Sequence, residues 1–92
     1  MPKRNQDWII TRDHLDGNIN LSKNSFPDPE RFKIYFRLYD DDGTLYFEGY
    51  MTRDLYDQGE DIFSPLDDFG TPGYGCTFMM VKNPQTNKLE VV

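Results

Sequence analysis

Two residue types are almost missing from this chain: it has one cysteine, Cys76, and one histidine, His14. A single thiol cannot form a disulfide within the monomer, so a cross-linked secreted scaffold is excluded. A Cys/His metal centre needs more ligands than these two residues supply. Long hydrophobic runs are missing too. No segment approaches the ~18 consecutive apolar residues of a membrane span, and Met1 to Gln6 leads into no apolar run of signal-peptide length. The expectation is a soluble cytoplasmic protein with no membrane partner and no cofactor.

Basic residues are scarce in the middle of the chain. Between Asp40 and Asp68 stand ten acids and one base, Arg53. The net charge is −6 overall, yet residues 1–37 carry seven bases and five acids. An acidic middle argues against direct nucleic-acid binding, which needs bases to displace counterions. It favours a basic protein partner, a cation, or solubility alone. The acidic surface expected from the sequence comprises Asp40, Asp41, Asp42, Asp57, Glu60, Asp61, Asp67 and Asp68.

What the chain has in quantity is aromatic residues. They make up 15% of 92 residues, and thirteen of the fourteen are Phe or Tyr. A single domain of this size has a thin core. Large rings supply much of it, each removing about 150–250 Å² from water.

The patterning predicts a mainly β fold, with α+β as the variant. The expected form is a small antiparallel sheet of four to five strands around a central hairpin, 32–39 with 44–51. Phe32, Ile34, Phe36 and Leu38 alternate with Lys33, Tyr35, Arg37 and Tyr39. Leu45, Phe47 and Met51 alternate with Tyr46, Glu48 and Tyr50. Side chains in a strand alternate with period two, so each strand has an apolar and a tyrosine-rich face.

Asp42-Gly43 suits a two-residue type I′ turn. That turn puts Tyr39 opposite Tyr46, Leu38 opposite Phe47, Arg37 opposite Glu48, Phe36 opposite Gly49, Tyr35 opposite Tyr50 and Ile34 opposite Met51. A three-residue loop would place Leu38 opposite Tyr46 and disrupt both faces, so it is not preferred. The Phe36 ring is expected to cover the bare backbone of Gly49.

Around the hairpin, Trp8 to Thr11 reads as a strand. Asp13 to Pro29 reads as a long polar loop, with a turn at Asp16-Gly17-Asn18 and with Ile19 and Leu21 pinning it to the core. Thr52 to Phe63 is a loop or a frayed helical turn. A short helical turn is expected near 65–69, with Ser64 as N-cap, Pro65 at its first position and Gly70 ending it. Thr71 to Gly75 is a tight connection. Cys76 to Lys82 is a strand, apolar on both faces and so interior to the sheet. After a turn at Asn83 to Asn87, Lys88 to Val92 forms the last strand, with Leu89 and Val91 inward.

Motifs for chemistry are weak. Asp40-Asp41-Asp42-Gly43 fails the EF-hand pattern, because acids are missing where Leu38 and Gly49 stand. Asp68-Phe69-Gly70 matches three letters of a kinase motif in a chain too short for a kinase. Gly70, Gly73 and Gly75 lack the order of a phosphate loop. Cys76 reads as a small buried hydrophobe and His14 as an exposed loop residue. No pair of carboxylates stands out for acid–base work. The expectation is a protein without catalytic or metal residues.

The tyrosine row is the most informative feature. Tyr35, Tyr39, Tyr46 and Tyr50, with Arg37 and Glu48, form a candidate binding face flanked by Lys33. Two other readings stand beside it: a second core face under the N-terminal strand, the long loop or 52–63, and a homo-oligomer surface.

Several blocks taken together carry a resemblance. They are Trp8-Ile9-Ile10-Thr11, Arg37 through Gly43, Tyr46-Phe47-Glu48-Gly49, and Pro65 through Gly70 with Gly75-Cys76-Thr77. This set resembles blocks in a group of small bacterial proteins of unassigned function, and spans most of the chain from Trp8 onward. The resemblance implies a bacterial or phage cytoplasmic protein and no particular mechanism.

Three functions are compatible with these observations. One is a non-enzymatic protein-binding or regulatory module acting through the aromatic hairpin face. A second is an acidic inhibitor, of host or phage origin, that imitates nucleic acid and occupies a basic groove. The third is a weak divalent-cation protein using Asp40–Asp42 with Asp67 and Asp68.

Overall fold

The computed structural model of the chain describes residues 7–15, 17, 19–20, 30–57 and 62–91, with the backbone alone at 68, 72 and 73. Glu60 and Asp61, the Asp16-Asn18 turn and Leu21 lie outside the described residues, as does the Asp68 side chain.

Five strands build one antiparallel sheet: β1 (Trp8–Asp13), β2 (Phe32–Tyr39), β3 (Leu45–Thr52), β4 (Phe78–Lys82) and β5 (Leu89–Val91). Their order across the sheet is β1-β3-β2-β4-β5. The expected hairpin therefore forms the middle of the sheet. β4 is interior as expected, between β2 and β5, and starts two residues later than the sequence suggested.

Between β3 and β4 the chain is helical in short pieces. They are α1 (Arg53–Tyr56), a π turn (Leu66–Gly70) and α2 (Thr71–Tyr74). Thr52 caps α1 by accepting a hydrogen bond from the Leu55 amide at 3.1 Å.

Alternation decides which side chains enter the main core. Ile34, Phe36, Leu38, Phe47, Met51, Met79 and Val81 come from the strands. Leu55, Ile62, Leu66 and Cys76 close over them from the helical side. The helical pieces thus cover one face of the sheet. The other face carries Tyr35, Arg37, Tyr39, Glu48 and Tyr50, all half-buried.

The central register follows the sequence: Leu38–Phe47, Arg37–Glu48, Phe36–Gly49, Tyr35–Tyr50 and Ile34–Met51 are all paired. The turn does not. The Gly43 amide donates to the Asp40 carbonyl and the Asp40 amide to the Thr44 carbonyl, each at 3.1 Å. Gly43 has φ +82, while Asp42 keeps a negative φ. The loop therefore has three residues, Asp41 to Gly43, and not the two of a type I′ turn.

The register is restored by a bulge. Tyr39 pairs with Leu45 and Leu38 with Phe47, so Tyr46 is the extra residue. Leu45, opposite Tyr39, moves to the tyrosine-bearing face. Tyr46 turns toward the main core and leaves the face assigned to it from alternation. A second irregularity, between Phe32 and Ile34, acts in the same way. Phe32 joins Ile9 and Tyr50 in a small cluster separate from the main core.

Two further expectations are corrected. Gly70 does not end the helical segment, which runs on to Gly75 at φ +76. A Cβ at Gly70 would sit 3.0 Å from the Cβ of Cys76 and 3.2 Å from Leu38, so this glycine permits close packing. Leu89 and Val91 do not point inward. They pair with Lys82 and Met80 at the sheet edge, and Val91 is 68% exposed.

Candidate functional site

The tyrosine-bearing face is organised around one carboxylate. Glu48 lies opposite Arg37 across the β2–β3 ladder and beside Arg12 across the β1–β3 ladder. Cross-strand position alone suggests an Arg37–Glu48 ion pair, but among the described residues none forms within 4 Å. Glu48 is engaged elsewhere. The Tyr35 hydroxyl donates to its Oε1 in a short bond, and its Oε2 lies 2.5 Å from His14 Nε2.

Arg37 is held by hydroxyls instead. Its Nε donates to the Tyr35 oxygen at 2.9 Å and its Nη1 to the Tyr39 oxygen at 3.3 Å. The guanidinium carbon is 5.5 Å from the Tyr35 ring centroid, within cation–π range. Hydrogen bonds to Tyr35, then to Tyr39, raise the Arg37 pKa further, so its charge is fixed at any working pH. Neighbouring rings brace the row. Tyr35 meets Tyr50 edge-on at 5.4 Å, and Tyr39 stacks on Phe78 at 4.8 Å.

These side chains wall an open cleft of about 460 Å³. Tyr35, Tyr50 and Glu48 line it, with Lys33, Arg37 and Lys82 as its cations. Pro84 and Asn87 close one end from the β4–β5 turn. Asn87 is locked there by φ +65 and by donating its amide to the Asn83 carbonyl at 2.7 Å.

Burial, then the bond to Glu48, pushes Tyr35 up to about 12, so its hydroxyl stays protonated and donates at neutral pH. Burial, then the charge of Glu48, also raises Tyr50. At Glu48 burial pulls upward, but the bonds from Tyr35 and His14 outweigh it and the pKa is lowered.

A group with a depressed folded-state pKa stabilises above its unfolded value, and that contribution is lost as the pH falls through the folded value. Acidification below the ordinary carboxylate range should therefore destabilise the wild type more than Glu48→Gln. Urea melts between neutral pH and strongly acidic pH should show the gap between the two proteins closing. A constant gap would show that Glu48 titrates alike in both states.

The remaining sequence candidates are dispersed. Asp40 is a turn residue: its Oδ1 accepts from the amides of Asp42 and Thr44, each at 2.9 Å. The Thr44 amide contributes most to lowering its pKa. The Tyr46 hydroxyl also bonds Asp40, which raises the tyrosine's pKa. Asp41 and Asp42 are exposed at the hairpin tip, and Asp67 is exposed in the π turn. Asp57 faces Arg53 at 3.4 Å. Among the described residues no three His, Cys, Asp or Glu side chains group as metal ligands.

Cys76 and His14 are not brought together. Cys76 is fully buried in the main core, where burial pushes its thiol up to about 11. His14 reaches Glu48 on the opposite face. Alternation had not placed His14, Lys82 or Asn87 at the site. They arrive through strand pairings that no local pattern announces.

No helix among the described residues is long and apolar enough to cross a membrane. No protein-family model matches this chain, and no curated protein or solved structure does either.

Proposed function

We propose that this chain is a non-enzymatic protein-binding module that takes its partner on the tyrosine-bearing face of the sheet. The observation that carries this reading is the braced tyrosine–arginine cleft on the sheet face away from the described helical segments. Helical segments pack on one face, while the other holds a cleft walled by Tyr35, Tyr50, Arg37 and Glu48. Tyrosine and arginine are the residue types enriched where binding energy concentrates. Here they are braced against one another in advance, which lowers the entropy lost on docking.

The acidic-mimic reading draws on Asp41, Asp42 and Asp67, which are exposed. It is weakened because Asp40 is engaged in its turn and Glu48 lies among cations on the other face. The cation reading needs a ligand group, and none assembles among the described residues.

Capture from a bacterial lysate at low and high salt separates the first two readings. Tagged wild type should retain a partner in high salt, and Tyr50→Ser should lose it while keeping a native circular dichroism spectrum. Asp41→Asn with Asp42→Asn should capture normally. The reverse result, with loss at the hairpin tip and release by salt or competing DNA, would replace the module with the mimic.

A further inference from the structure

Among the described residues, the lining of the cleft is opposite in charge to the chain as a whole. Lys33, Arg37 and Lys82 line it with a single described carboxylate, Glu48, in a protein of net charge −6. Arg37 is the informative member. It is half-buried, and a carboxylate stands opposite it in register. That carboxylate is taken by Tyr35 and His14, and Arg37 is fixed by two phenol oxygens.

A neutral oxygen orients a guanidinium without neutralising it. The Nη2 hydrogens have no acceptor among the described residues. The arrangement is thus a positioned cation awaiting an anion, with planar N–H donors of the kind that grip a carboxylate in pairs. Lys33 and Lys82 are both exposed and add attraction at the rim.

The anion is restricted by its surroundings. Glu48 in the same cleft opposes a doubly charged phosphate more strongly than a single carboxylate. A net charge of −6 repels the many phosphates of a nucleic acid more than the few carboxylates of a short acidic segment. A volume of about 460 Å³ takes a few side chains and no duplex. Beside the cleft, Val91 and half-buried Met80 offer apolar surface to flanking residues of a peptide.

We infer that the cleft is a carboxylate subsite, in which Arg37, supported by Lys33 and Lys82, binds an Asp or Glu side chain of an acidic segment in a partner protein. This inference rests on the module reading above and names the partner's chemistry.

The test is a nuclear magnetic resonance titration of the full chain with a capped tetraglutamate peptide. Capped tetraglutamine, inorganic phosphate and a short DNA duplex are titrated in parallel. Tetraglutamate should shift the amides of residues 33–37 and 80–87, and tetraglutamine should not. Lys33→Gln with Lys82→Gln should weaken binding about fivefold, as for two exposed charge contacts. Arg37→Gln should weaken it about tenfold, as for a lost charged hydrogen bond.

Equal binding of tetraglutamine, shifts confined to the hairpin tip, or no shifts at millimolar peptide would overturn the inference. So would stronger binding of phosphate or duplex at the same amides. If capture from lysate still depends on Tyr50 while tetraglutamate fails, the acidic-segment inference falls and the module reading stands. Loss of both removes both.

Discussion

Gly49→Ala is expected to abolish folding. Gly49 is buried in β3 between Ile10 of β1 and Phe36 of β2. A Cβ there would collide with the backbone carbonyl oxygen of Ile9 and come within 2.6 Å of the Phe36 ring. The ring could swing aside, but the carbonyl belongs to a paired strand and cannot move without parting β1 from β3. A domain of this size holds about 5–10 kcal/mol in total, and separating an edge strand together with a displaced core ring removes much of that.

Gly43→Ala is the control. Gly43 has nothing within 4 Å of a new Cβ, but it sits at φ +82. Its substitution should cost only about 1–2 kcal/mol, the penalty for a left-handed residue with a side chain. Circular dichroism and amide dispersion should show Gly49→Ala unfolded and Gly43→Ala native. A folded Gly49→Ala with intact β1 amides would refute the close approach.

The second large effect is expected at Phe47. It is fully buried, and its ring meets Phe69 at 4.9 Å, Tyr74 at 4.7 Å and Tyr46 at 6.4 Å, each edge-on. Through Phe69 and Tyr74 it links the sheet to the π turn and α2. Phe47→Ala should cost about 3–5 kcal/mol, combining lost transfer energy with a cavity the helical pieces cannot fill. Urea melts should show the midpoint falling by a large fraction of its value, with partial recovery in Phe47→Leu. A loss under about 1 kcal/mol would mean the core collapses freely around the gap.

How much of this was legible in the sequence depended on parity and locality. Residues 34–38 and 47–51 alternate strictly, and their pairing is local, so the central register could be read directly. Parity failed at the bulges. Tyr46 and the Phe32–Ile34 step each carry an irregularity that exchanges faces, and nothing in their composition marks it. At the tip, Asp42-Gly43 suggested a tighter turn. The carboxylate of Asp40, accepting from two amides, stabilises the wider one, and the extra residue is absorbed at Tyr46.

Glycine was ambiguous in the helical segment. Gly70 looked like a stop, yet it serves contact with Cys76 and Leu38, and Gly75 with its positive φ is the true end. The candidate site was half legible. Tyr35, Arg37, Tyr39, Glu48 and Tyr50 share a face because they share two paired strands. His14 and Lys82 reach the site by pairings across more than 30 residues, and alternation says nothing about which strands become neighbours.

The placement of β4 beside β2 has a kinetic and thermodynamic consequence. The cleft joins Lys33 to Lys82, side chains 49 positions apart, so no local fragment contains it. Binding of the kind proposed above therefore cannot precede assembly of the sheet: the hairpin alone would display Tyr35 and Arg37 with one wall missing. A ligand that needs both walls has no affinity for the unfolded chain and must draw the folding equilibrium toward the native state. At 100 times its Kd that pull is about 2.7 kcal/mol, comparable to much of what a thin core of this size supplies. A partner of the proposed kind would then act as a chaperone of the very surface it binds.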